Sequence, residues 1–119
     1  MLQKYLIMTA AWSEIVGGVA FLTAPNVVCR LLFAATPEGI GLPIGRLAGV
    51  ALVALGIACL PLRLAGPHLS AVLGLLAYNI GVAVLLGRLG LTTTLRGALL
   101  WPLVILHAVI AAALLAASF

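Results

Sequence analysis

One of the chain's two acidic residues, Glu14, stands deep inside an apolar stretch, followed much later by Asn79 and His107 in similar surroundings. If each stretch is a helix, all three residues fall about ten positions from its start. At 1.5 Å per residue that is one common depth. A carboxylate, a carboxamide and an imidazole at one level can form a hydrogen-bonded group that takes up or releases a proton. Tyr78, beside Asn79, and Ser13, beside Glu14, add hydroxyls. Arg46 lies on a further segment, some ~10–15 Å away in depth by the same count, and its long side chain can either close that gap or reach outward.

A structural reading stands beside this one. Asn79 and Tyr78 can simply bridge helices, which buried polar side chains do for about 0.6 kcal/mol each, and His107 can be a packing histidine. Glu14 differs, because a central acid costs about 2.5 kcal/mol or more to insert into a membrane. Metal chemistry is not expected, since one histidine and one glutamate fall short of a ligand set. No resident cofactor is expected either. His68 sits at a segment end and cannot join His107 as a second haem ligand, and no glycine-rich phosphate loop occurs. Beyond Ser13 there is no nucleophile for a catalytic set, so an enzymatic role is the less favoured reading.

The elements that hold these residues must lie in lipid. Of the 119 residues, 66% are hydrophobic and 7% charged, and the mean hydropathy is +1.38. A soluble domain carries about a quarter charged residues and needs a polar shell that this chain cannot supply. The expected fold is all-α: a single integral membrane domain over 1–119, built as a four-transmembrane-helix bundle. The spans are expected at about 5–24, 43–62, 68–87 and 95–117, each long enough for a core of about 30 Å. Between the first two, 26–35 is apolar but too short to cross, and reads as an interfacial helix anchored by Arg30.

Proline places most of these boundaries. Pro25 closes the first span, Pro37 sits in turn chemistry (Thr36-Pro37-Glu38-Gly39), and Pro43 opens the second. Pro61 and Pro67 bracket the turn to the third. Pro102 falls inside the expected fourth helix and predicts a kink near Trp101, with Thr94 as a cap at its start. The first segment is kept as a helix rather than a cleaved leader, because Leu22 suits signal cleavage poorly and Pro25 would follow the cut. Cys29 and Cys59, some ~20 Å apart on this layout, are expected as free thiols. Internal repetition is not obvious. Small residues recur four apart at Gly41, Gly45 and Gly49, at Ala77 and Gly81, and at Ala108, Ala112 and Ala116. Such rows allow close helix packing within the bundle or in a homodimer.

Six basic residues against two acidic ones form no stripe for nucleic acid. They stand singly at segment ends. Lys4 and Arg63 fall on one face, and Arg30, Arg88, Arg96 and the nearby Arg46 on the other. The positive-inside rule then places both termini outside.

Two families share parts of this pattern. Ser13-Glu14-Ile15-Val16-Gly17 resembles the first helix of small multidrug resistance transporters, four-span proteins in which a mid-membrane glutamate exchanges protons for lipophilic cations. Gly17-Gly18, Ala24-Pro25, Leu31-Leu32-Phe33, Arg46, Gly49 and Leu55-Gly56 resemble the DoxX-like group of small bacterial four-helix membrane proteins. That likeness implies a multi-pass protein of the bacterial cytoplasmic (inner) membrane, and no catalytic residues carry over from it.

The leading expectation is a midplane pocket that binds or transports a small lipophilic or cationic ligand, linked to protons. Glu14 would accept the proton, with Asn79 and His107 as its hydrogen-bond partners. Two alternatives remain. One is an accessory subunit of a larger membrane complex. The other is a membrane acid–base enzyme acting on a lipid-like substrate, which needs His107 within reach of Glu14.

Overall fold

The protein is described here from a computed structural model covering residues 1–60 and 69–118. Pro61, Leu62, Arg63, Gly66, Pro67 and His68 lie outside the described residues, so the expected end of the second span and start of the third do too. The described chain is helical in five pieces: α1 (Leu2–Thr23), α2 (Pro25–Phe33), α3 (Gly41–Cys59), α4 (Leu69–Thr92) and α5 (Leu100–Ser118). Four of these are long and apolar enough to cross a membrane. The shortest, at 19 residues, reach about 28 Å. Together they form a four-helix bundle with principal dimensions of 43 × 27 × 17 Å.

The break between α1 and α2 follows from Pro25. Proline crowds the residue before it out of the helical region, and Ala24 takes φ −139° and ψ 55° while still donating to Ala20 O. Pro25 then opens α2, where its missing N–H costs nothing. Nine residues are too few to span a bilayer. α2 buries Pro25 and Leu32 and exposes Asn26, Val27, Arg30 and Leu31.

The start of α5 departs from expectation. The helix begins at Leu100 rather than near 95, and Thr94 lies in the preceding loop without capping it. Residues 93–99 are engaged elsewhere. Gly97 N–H donates to Leu32 O at 2.8 Å, and Leu99 N–H donates to Leu31 O at 2.7 Å. The last carbonyls of α2 have no partners within their own helix, and this loop supplies them from across the bundle. Backbone used in this way cannot also wind into α5. Gly97 is required there, since a Cβ would collide with the Leu31 carbonyl. α4 correspondingly runs to Thr92, past the expected end at Gly87 and through Arg88 and Gly90 that were expected in a loop. Gly90 admits the side chains of Leu100 and Trp101. Pro102 is the third residue of α5, inside the first turn, where a helical N–H has no acceptor anyway. The cause for a kink is therefore absent.

The helices pack as two pairs, α1 with α3 and α4 with α5, and α1 also touches α4 and α5. The first pair crosses with backbone nearly touching backbone. A Cβ on Gly18 would lie 2.7 Å from Gly49 O, and one on Gly49 would lie 2.7 Å from Gly18 O. Gly56 meets Ala11 and Ile15 in the same way one heptad further along. Small residues allow this approach in lipid, where apolar burial gives no separate drive. The remaining small rows behave differently. Ala77, Gly81, Ala108, Ala112 and Ala116 all face outward.

The bundle also carries an internal correspondence that the sequence does not advertise. Loops 34–40 and 93–99 are equal in length and lead into helices of 19 residues each. Proline is third in both, and Leu47, Val50, Ala54, Leu55 and Ala58 of α3 recur as Leu106, Val109, Ala113, Leu114 and Ala117 of α5.

Candidate functional site

Each long helix of the site carries one buried stripe, and the polar residues fall in step with it. On α1 the stripe is Ile7, Ala10, Ala11, Glu14 and Gly18. On α4 it is Val72, Leu75, Asn79, Leu86 and Gly90, and on α5 it is Leu100, His107, Ile110, Ala111 and Leu114. The helical period of 3.6 therefore turns the acid, the amide and the imidazole inward together. Glu14 is 2%, Asn79 0% and His107 6% exposed, so all three are withdrawn from lipid. One end of the bundle is closed by an apolar core that includes Ile7, Val72, Leu75, Ile110 and Leu114.

The pairing inside the cluster differs from the one expected. Asn79 and His107 bond to each other, with Nδ1 of His107 2.8 Å from Oδ1 of Asn79. Nδ2 of Asn79 donates back to Leu75 O at 2.8 Å. Among the described residues Glu14 hydrogen-bonds to neither, and the polar group nearby is the hydroxyl of Tyr78. Tyr78 is half-buried and stands edge-on to His107, with ring centroids 5.8 Å apart at 78°. This is the T-shaped geometry that aromatic rings prefer. Tyr78 thus touches both the imidazole and the acid. The Leu75 carbonyl was not foreseen, although amide side chains in helices often bond back by four residues.

One atom is left over. Oε1 of Glu14 is buried and has no hydrogen-bond partner among the described residues. A buried acceptor in that state costs about 1–3 kcal/mol, in addition to the cost of placing an acid in a membrane.

Ser13 and Arg46 do not join the cluster. The Ser13 hydroxyl donates to Ala10 O of its own helix at 2.7 Å. Arg46 is exposed in the second turn of α3. Among the described residues, no three histidine, cysteine or carboxylate side chains gather in a way that could hold a metal. Cys29 and Cys59 are both free, and Cys59 points its thiol toward Ala71 O at 3.9 Å.

Four apolar crossing helices around a polar centre make this a small, integral, multi-pass membrane protein. Searches of family models, curated proteins and solved structures find no match to the chain.

Proposed function

We propose that this protein binds a small lipophilic, cationic ligand at its midplane cluster and moves it in exchange for a proton carried by Glu14. The observation that carries the reading is the sealed, unpartnered Oε1 of Glu14. Asn79 and His107, expected as its partners, bond to each other instead. Packing alone favours an apolar side chain at this position. An acid with an open acceptor fits a partner that comes and goes, either a proton or a cation. Pockets of this kind are mostly apolar, with a few polar groups that orient the ligand.

The test is saturable binding of N,N-dimethylbenzylamine, protonated at neutral pH, to the protein in proteoliposomes, with proton release followed in parallel. Glu14→Gln is expected to weaken the binding and to lose the proton release. Binding and proton release that persist unchanged in that variant overturn the reading.

The likeness to DoxX-like proteins extends the proposal to a bacterial cytoplasmic membrane. Arg30, Arg88 and Arg96 cluster toward the α2 end, which supports placing that end inside and both termini outside. A second reading, as a homodimer or a subunit of a larger membrane complex, draws on the outward small residues of α4 and α5. Gly74 and Gly81 have nothing within 4 Å of a would-be Cβ. Stoichiometric co-purification of a larger protein in mild detergent favours it, and a lone stable monomer argues against it.

A further inference from the structure

The hydrogen bonds around Asn79 determine more than its own position. Leu75 O has only lone pairs to offer, so the amide end facing it at 2.8 Å is the NH2 end. Oδ1 is consequently the end facing His107. Because Oδ1 can only accept, Nδ1 of His107 must be the nitrogen carrying the hydrogen. A neutral imidazole protonated at Nδ1 presents a bare lone pair at Nε2. This is the tautomer that free histidine disfavours, and here the protein imposes it. Nε2 has no protein partner among the described residues.

We propose that Asn79 is a positioning residue that locks His107 with its hydrogen on Nδ1, and that Nε2 accepts a hydrogen bond from an N–H group of the bound ligand. The site would then select protonated amines over quaternary ammonium ions. This rests on the reading that the cluster binds a lipophilic cation. It adds the chemical class of that cation. Tyr78 touches both His107 and Glu14, so the imidazole and the acid flank one phenol ring. A protonated tertiary amine brings one charge and one N–H, the charge for Glu14 and the N–H for Nε2. Its N-methylated counterpart brings the charge alone.

The experiment compares protonated N,N-dimethylbenzylamine with benzyltrimethylammonium, two probes that differ by one methyl group on nitrogen. In the wild-type protein the amine is expected to bind about five-fold tighter, the worth of one net hydrogen bond. That preference should vanish in Asn79→Leu and His107→Phe, while Glu14→Gln should weaken both probes alike. Nitrogen-15 spectra of histidine-labelled protein in bilayers give a readout that needs no ligand. The His107 signals, identified by their loss in His107→Phe, should show a protonated Nδ1 and an unprotonated Nε2. Asn79→Leu should redistribute the tautomers.

Wild-type protein that binds neither probe refutes the function reading, and the ligand assignment with it; the spectra still test the tautomer lock separately. Equal binding of the two probes refutes the proposed selectivity but leaves the function reading standing. A preference that survives His107→Phe does the same. An Nε2-protonated His107 in the wild type overturns the positioning role of Asn79 directly.

Discussion

Gly17 and Gly18 are neighbours on α1 with opposite surroundings, and replacing each by alanine isolates the energy of the α1–α3 crossing. A Cβ on Gly17 meets nothing within 4 Å. A Cβ on Gly18 falls 2.7 Å from Gly49 O, 2.7 Å from Cγ2 of Val53 and 2.8 Å from Val53 N. Ordinary contacts begin at 3.4 Å, so the shortfall is 3.4 − 2.7 = 0.7 Å. Val53 can turn its side chain, but Gly49 O and Val53 N belong to the backbone of α3. Relief therefore means moving a helix. Overpacking of this kind costs about 1–3 kcal/mol. Alanine also gains about 0.5–1 kcal/mol over glycine in a helix, but both variants share that gain and it cancels in their difference. Gly18→Ala should thus be less stable than Gly17→Ala by about 1–3 kcal/mol, roughly a 5- to 150-fold difference in the folding constant. Reversible unfolding by added SDS in mixed micelles, followed by the fluorescence of Trp12 and Trp101, measures it. Equal midpoints for the two variants, or a more stable Gly18→Ala, would refute the close crossing.

Gly97→Ala should push the loop off the Leu31 carbonyl and free the last turn of α2 (seen as faster amide exchange at Gly97 and Leu99), and unchanged protection would count against the cross-bundle cap. A double-mutant cycle between Asn79→Leu and His107→Leu should return a coupling near 0.6 kcal/mol, the average for membrane interhelical hydrogen bonds; strict additivity would mean that the 2.8 Å contact contributes nothing. Cys29, half-buried on α2, should react with a membrane-impermeant maleimide well before the buried Cys59 does, and only from the side that α2 faces. Burial pushes the Cys29 thiol above its usual 9.0, which leaves less thiolate at neutral pH. Its labelling rate should therefore still be climbing above pH 9, and a plateau below that value would contradict this placement.

The parts of the fold that were legible in the sequence are those decided locally. Apolar length and proline position suffice for four long helices and a short one after Ala24, because lipid leaves the backbone few alternatives. The parts that were not legible depend on distant partners. Nothing in Leu95 to Leu99 says that this stretch will cap α2, so an apolar run read as helix is a loop. Arg88 and Gly90 look like loop residues until Gly90 is seen to accommodate Leu100 and Trp101. The site divides in the same way. The shared depth of Glu14, Asn79 and His107 is helical arithmetic. Whether Asn79 turns toward Glu14 or toward His107 depends on how α1, α4 and α5 are rotated about their axes, which spacing along a single helix leaves open.

The correspondence between α3 and α5 bears on whether the polar residues are structural glue. Both helices follow loops of equal length, start with proline in third place and have equal lengths, so the two pairs pose similar packing problems. The α1–α3 pair meets its problem with glycines, Gly18 against Gly49 and Gly56 against Ala11 and Ile15. The α4–α5 pair has a close approach of its own at Gly90. The residue of α3 that corresponds to His107 is Ala48, so the scaffold forms a helix pair without an imidazole at that position. A bridge between Asn79 and His107 is therefore an addition to a packing scheme that works without it. Glu14 goes further, because its buried oxygen bridges nothing. Packing accounts for the glycines, and hydrogen bonding between helices accounts for the Asn79–His107 pair. Neither accounts for Glu14, which is why the proposed binding of proton and ligand is centred on it.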